Sequence, residues 1–159
     1  MASAKTVISP ATPTGLRWRA KFMIGFLLAQ YLIGMVLDFF VELPKVHPGM
    51  TDSTIWDGFW WSLTGGGGWA VAVHVAIGTL LLFGAAIFLV LACVGRNKPW
   101  IIVSSIGFVG VLGAWINGVK FVSSNDDMNS FAMAVAWVVA LTAYGVGLYV
   151  AKKQSEPTK

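Results

Sequence analysis

The chain of 159 residues contains one cysteine, two histidines and few charges: eleven Lys or Arg and seven Asp or Glu. Each scarcity excludes something. With Cys93 alone there is no intrachain disulfide and no dithiol redox couple. A lone cysteine at this place reads as a small buried apolar side chain. The two histidines, His47 and His74, form no H-x-x-x-H or E-x-x-H pair on one helix, so no spacing demands a metal. Scattered serines and no cysteine outside position 93 supply no nucleophile, base and orienter, which argues against a hydrolase. The glycine run 65–68 before a helix could cradle a phosphate, but the absence of a following lysine or any nucleotide-binding pattern argues against it. Charged residues make up 11%, where a soluble domain carries about 25%.

What fills the chain instead is apolar. Hydrophobic residues reach 57%, gathered into four runs at 22–43, 69–94, 100–122 and 128–151. A bilayer core takes about 20 apolar residues in helical form, so the sequence predicts an all-α integral membrane four-helix bundle. Its parts are a cytoplasmic tail at 1–21, the four-span bundle at 22–151 and a second tail at 152–159. The first run is too long for a signal-peptide core, and no small-x-small cleavage site follows it. It reads as an uncleaved signal-anchor. The polar stretch 1–15, with Pro10 and Pro13, reads as an irregular tail.

The charges orient the bundle. Nine basic residues and one acid, a net of +8, flank one set of span ends: Lys5, Arg17, Arg19, Lys21, Arg96, Lys98, Lys152, Lys153 and Lys159, with Glu156. The other ends hold two basic residues, Lys45 and Lys120, against six acids, a net of −4. Basic flanks stay in the cytoplasm, so both termini are expected there, in a multi-pass protein of the cell membrane. The pI of about 9.4 then reflects topology and anionic headgroups, and no nucleic-acid partner.

Short connections at 95–99 and 123–127 make antiparallel hairpins. Pro99 suits a first helical turn, and Ser124 or Asn125 is a candidate cap for span four. The first outer loop is long. Its segment Ile55-Trp56-Asp57-Gly58-Phe59-Trp60-Trp61 predicts a short interfacial helix, joined to span two through a flexible glycine run. Small residues in span three (Gly107, Gly110, Gly113, Ala114) and span four (Ala132, Ala136, Ala140, Ala143, Gly147) predict the tightest helix contact.

Span one carries a polar stripe, Gln30, Gly34, Asp38 and Glu42, at intervals of four. Such a stripe must face the bundle interior or a wet cavity. Asp38 and Lys120 lie at similar depth, with Asn117 a turn deeper. A structural polar network of Gln30, Asp38, Asn117 and Lys120, built on an Asp38–Lys120 ion pair, is one reading. A proton or cation site at Asp38 and Glu42 is another. His47, His74, Asp38 and Glu42 are candidate metal ligands. His74, with Gly78 one turn along, is a candidate axial ligand for haem b, with His47 as a second ligand. The bland reading of His74 is an inward-facing interhelical contact toward span one.

The Leu43-Pro44 and His47-Pro48-Gly49 segment, the span bearing His74 and the Asn117-Gly118 pair resemble uncharacterised small four-span bacterial and archaeal membrane proteins. That resemblance carries no function. The chain is also similar to cytochrome b561-like four-helix bundles in span count and in an inward histidine. It departs from them in having one intramembrane histidine where they use several as axial pairs. Small multidrug exporters place a glutamate in the middle of span one, where this chain has Gln30 or Ile33. The expected function is therefore a non-enzymatic small integral membrane protein, an accessory or assembly subunit that touches other membrane subunits or itself. The alternatives are a haem b- or quinone-linked electron-transfer protein using His74, and a proton- or cation-coupled carrier using Asp38 and Glu42.

Overall fold

The computed structural model describes residues 13–44 and 54–155, with side chains described at 14–44 and 54–151. Five helices follow one another: α1 (Pro13–Phe40), α2 (Ile55–Leu63), α3 (Trp69–Val94), α4 (Lys98–Ser124) and α5 (Asp127–Ser155). Among the described residues there is no strand. All but α2 are long and apolar enough to cross a membrane. The architecture is the expected all-α membrane helix bundle.

Local chemistry sets the helix ends. Asn97 begins α4 by accepting the Trp100 N–H on its side-chain oxygen at 3.4 Å, and Pro99 occupies the first turn. Asn125 ends α4 in the left-handed region at φ +50°, so it is a C-terminal cap and not the cap of the next helix. That task falls to Asp126, whose carboxylate accepts the Met128 N–H at 2.9 Å. α2 starts where the Thr54 N–H donates to the Asp57 carboxylate at 2.9 Å. The glycine run 65–68 is a hydrogen-bonded turn and no loose joint: the Gly66 N–H donates to Trp61 O and the Gly68 N–H to Gly65 O, both at 2.9 Å. Gly65 and Gly68 take φ of +92° and +88°, which explains glycine there.

α1 begins at Pro13, well before the apolar run at 22, so residues 13–21 of the expected tail belong to the bundle. Leu16, Ala20, Met23 and Leu27 recur at helical spacing and are buried. Arg17, Arg19 and Lys21, interleaved with this stripe, hide it from a hydropathy reading.

The long helices form a closed ring in the order α1, α3, α4, α5 and back to α1, and α2 lies across α3 and α4. The α4–α5 contact is the most extensive, as the small residues predict. A side chain at Gly110 would lie 2.8 Å from Ala136 O and Ala140 N, and one at Gly113 3.3 Å from Ala136 Cβ. Backbones approach this closely only over glycine. Further along, Gly107 receives the ring of Tyr144, and Gly147 packs on Trp100 and Val103. Phe88, Trp100 and Tyr144 make an aromatic core, with Phe88 and Tyr144 stacked at 5.5 Å. Cys93 is exposed on α3, contrary to the buried position expected of it.

Candidate functional site

The seam between α1 and α3 gathers the polar residues that the sequence singles out. The helices run antiparallel, so Gln30 of α1 is level with Gly78 of α3, and Gly34 with His74. The exchange is reciprocal. The His74 ring points Cε1 at Gly34, 3.2 Å from where a Cβ would stand, and the Gln30 amide nitrogen lies 3.1 Å from a Cβ on Gly78. Each helix offers one polar side chain and one glycine, four residues apart, to the other. The Gln30 Nε2–H donates to the His74 carbonyl at 2.8 Å and ties the seam. His74 thus faces span one, as expected of an imidazole that would lack partners among lipid tails.

Two polar atoms at this seam are buried and unpartnered: Gln30 Oε1 and His74 Nδ1. An orphaned group of this kind costs about 1–3 kcal/mol, and it is the feature most suggestive of a ligand. Tyr144 Oη is a third such atom, but its ring fills the Gly107 hollow inside the aromatic core.

The rest of the expected site does not assemble here. Asp38 and Glu42 are exposed. Gln30 and Gly34 meet α3 at the seam, whereas Asp38 and Glu42 lie well beyond Leu27, the last fully buried residue of α1, toward the end of the helix. Lys120 is exposed on α4, across the ring from α1, and no ion pair joins it to Asp38. Asn117 donates to its own helix at Gly113 O, at 2.8 Å, rather than to a partner across the bundle. His47 lies outside the described residues. Among the described residues no three of His, Cys, Asp and Glu stand together as a metal cage.

Three tryptophans do work that the sequence did not single out. Trp137 Nε1–H donates to Leu27 O at 2.9 Å and stacks on Tyr31 at 4.6 Å, joining α5 to α1. Trp115 Nε1–H donates to Thr79 Oγ1 at 3.0 Å, and its ring packs on Phe59 of α2 at 5.5 Å. Trp100 caps the aromatic core at the opposite end. For Trp115 and Trp137 the signal in the sequence is a tryptophan deep in an apolar run, since a buried indole N–H demands an acceptor; Trp100 stands at the head of its run.

Compared with protein-family models, curated proteins and solved structures, the chain matches none. The residues themselves carry the functional argument.

Proposed function

We propose that this chain is a non-enzymatic subunit of a larger membrane assembly, with both termini in the cytoplasm, and that it meets its partner along one open side. One observation carries this reading. At the acidic end, α1 and α5 make their contacts through half-buried side chains: no residue of 28–44 or 127–139 is fully buried. α4 at the same end buries Val111, Val119 and Val122. The exposed side chains of these halves include Leu32, Phe39, Phe40, Met128 and Phe131, with the carboxylates of Asp38, Glu42 and Asp127 exposed near the same span ends. Lipid covers apolar side chains readily, but carboxylates at a span end favour a cationic partner. The chemistry that fits is a transmembrane helix bearing Lys or Arg at its outer boundary.

The test places a photo-crosslinking residue at Leu32 or Phe131, with Val90 on α3 as control, and irradiates intact cells. A discrete protein adduct at the first two positions, weakened by Asp38→Asn with Glu42→Gln, supports the reading. Adducts of equal yield at all three positions, or to lipid alone, overturn it.

The unpartnered Gln30 Oε1 and His74 Nδ1 favour a second reading, a haem- or quinone-linked electron-transfer protein. A Soret band in protein purified from its own membranes, absent from His74→Gln, would replace the first reading with this one. The carrier reading draws no support, because Asp38 and Glu42 stand outside the seam.

A further inference from the structure

The basic end of α1 carries a groove on the side turned away from the bundle. Trp18, Phe22 and Phe26 follow one another at intervals of four, and so do Lys21, Gly25 and Ala29. The two rows lie side by side on the helix, three residues apart. The aromatic row stands up as a wall, with Phe22 60% and Phe26 53% exposed, while the second row is low. Nothing lies within 4 Å of where a Cβ on Gly25 would be. The result is a shallow apolar trough of about 360 Å³, open along its length and lined by α1 alone.

Its mouth is charged. Lys21 is the last basic residue before the unbroken apolar run of α1, which places its ammonium at headgroup level. That ammonium sits 5.0 Å from the centroid of the Trp18 ring, at the basic end of the trough. Gly25 and Ala29 lie about 6 Å and 12 Å further along the axis. A cation at the end of an apolar trough matches an anionic head joined to a hydrocarbon tail.

We propose that this groove binds an anionic phospholipid, its phosphate on Lys21 and one acyl chain lying over Gly25 and Ala29. A second copy of the chain is the competing occupant, since Gly25 and Ala29 also form a small-x-x-x-small pair. Charge disfavours it. Two copies meeting by this face about a two-fold axis along the membrane normal would bring Lys21 against Lys21. The lipid instead neutralises it, and the neighbouring Arg19 is exposed on the same end.

The experiment is native mass spectrometry of the full chain released from nanodiscs of phosphatidylethanolamine and phosphatidylglycerol in equal parts. The wild-type chain is expected as a monomer that retains phosphatidylglycerol in preference. Lys21→Gln should reduce that preference by about fivefold, the share of one basic residue near an anionic surface, while still retaining lipid. Gly25→Leu fills the trough and should reduce retention of both lipids. Lys98→Gln, which removes an exposed basic residue at the same end but on another helix, should reduce the preference by clearly less than Lys21→Gln, and a loss as large as that of Lys21→Gln overturns the site in favour of diffuse surface charge. Circular dichroism checks that each variant keeps its helices. Equal preference in the wild-type chain and Lys21→Gln overturns the proposal. So does a wild-type dimer that Gly25→Leu dissociates.

Discussion

The side-chain amide of Gln30 donates to the main-chain carbonyl of His74 at 2.8 Å, and the imidazole of the same histidine rests against Gly34. One polar residue on each helix thus fills the hollow left by a glycine on the other. The fit depends on the absent side chains. Gly34→Leu should lower stability by about 1–3 kcal/mol, the usual penalty for overpacking. His74→Ala opens the space that the leucine needs. The double variant Gly34→Leu with His74→Ala should therefore be more stable than the sum of the single losses predicts, by about 0.5–3 kcal/mol. Thermal unfolding in detergent measures all three. Strict additivity would mean that the ring and the glycine do not share space.

Glycines on different faces should respond oppositely to the same change. A Cβ at Gly110 meets backbone atoms of α5 at 2.8 Å, which cannot rotate away. Gly110→Ala should thus separate α4 from α5 and lower the unfolding temperature markedly. Gly145 has nothing within 4 Å and lies inside a helix. Gly145→Ala should be neutral or stabilise by about 0.4–1 kcal/mol, through the unfolded chain. Similar destabilisation by both changes would contradict the packing described for α4 and α5.

The spans and their small-residue contact were legible because each rests on a pattern along a single helix. Long apolar runs give α3 to within a residue, and the Gly107, Gly110, Gly113 series names its own partner on α5. What escaped depends on rotation and on neighbours. Gln30 and Asp38 share a stripe on paper, and Asp38 even lies about five turns above the buried Ala20, but it stands beyond Leu27, where α1 has no fully buried residue. The start of α1 escaped for a related reason. Arg17, Arg19 and Lys21 mask a core stripe at Leu16, Ala20 and Met23 that only the packing reveals. Trp115 and Trp137 stand out only as tryptophans within apolar runs, and no motif names their partners, because the atoms they bond are on other helices.

Asp38 and Lys120 make the clearest case where depth misleads. They lie at similar depth, but on helices across the ring from one another, both exposed and unpaired with each other. Their losses should therefore add. Asp38→Asn with Lys120→Met should equal the sum of the two single effects within about 0.3–0.5 kcal/mol, as distant sites do. A double variant more stable than either single one would reinstate a coupled charge pair.

The bundle's orientation is open to a direct chemical check. Cys93 is exposed and must first be removed as Cys93→Ser. In that background Asn97→Cys, in the turn between α3 and α4, should react with a membrane-impermeant maleimide only after the cells are opened. Asn125→Cys, between α4 and α5, should react in intact cells. The reverse pattern would invert the topology drawn from the basic flanks.

Trp115 gives the prediction on which the placement of α2 turns. Its indole N–H reaches Thr79 of α3 at 3.0 Å, and its ring packs against Phe59 at 5.5 Å and Trp56 at 6.3 Å. Thr79 keeps its own bond to Val75 O at 2.8 Å whatever happens to the tryptophan. Trp115→Phe therefore removes one interhelical hydrogen bond and strands no partner. Its cost should be near the average of about 0.6 kcal/mol measured for such bonds in a membrane bundle. Trp115→Ala removes the platform as well. α2 has only nine residues, too few to hold a helix without packing. Its amides should then exchange hydrogen far faster than in Trp115→Phe, with the α4–α5 contact still protected. Equal protection of α2 in the two variants would show that the ring contacts do not anchor it, and that Ser62 and Gly58 against α3 and α4 suffice.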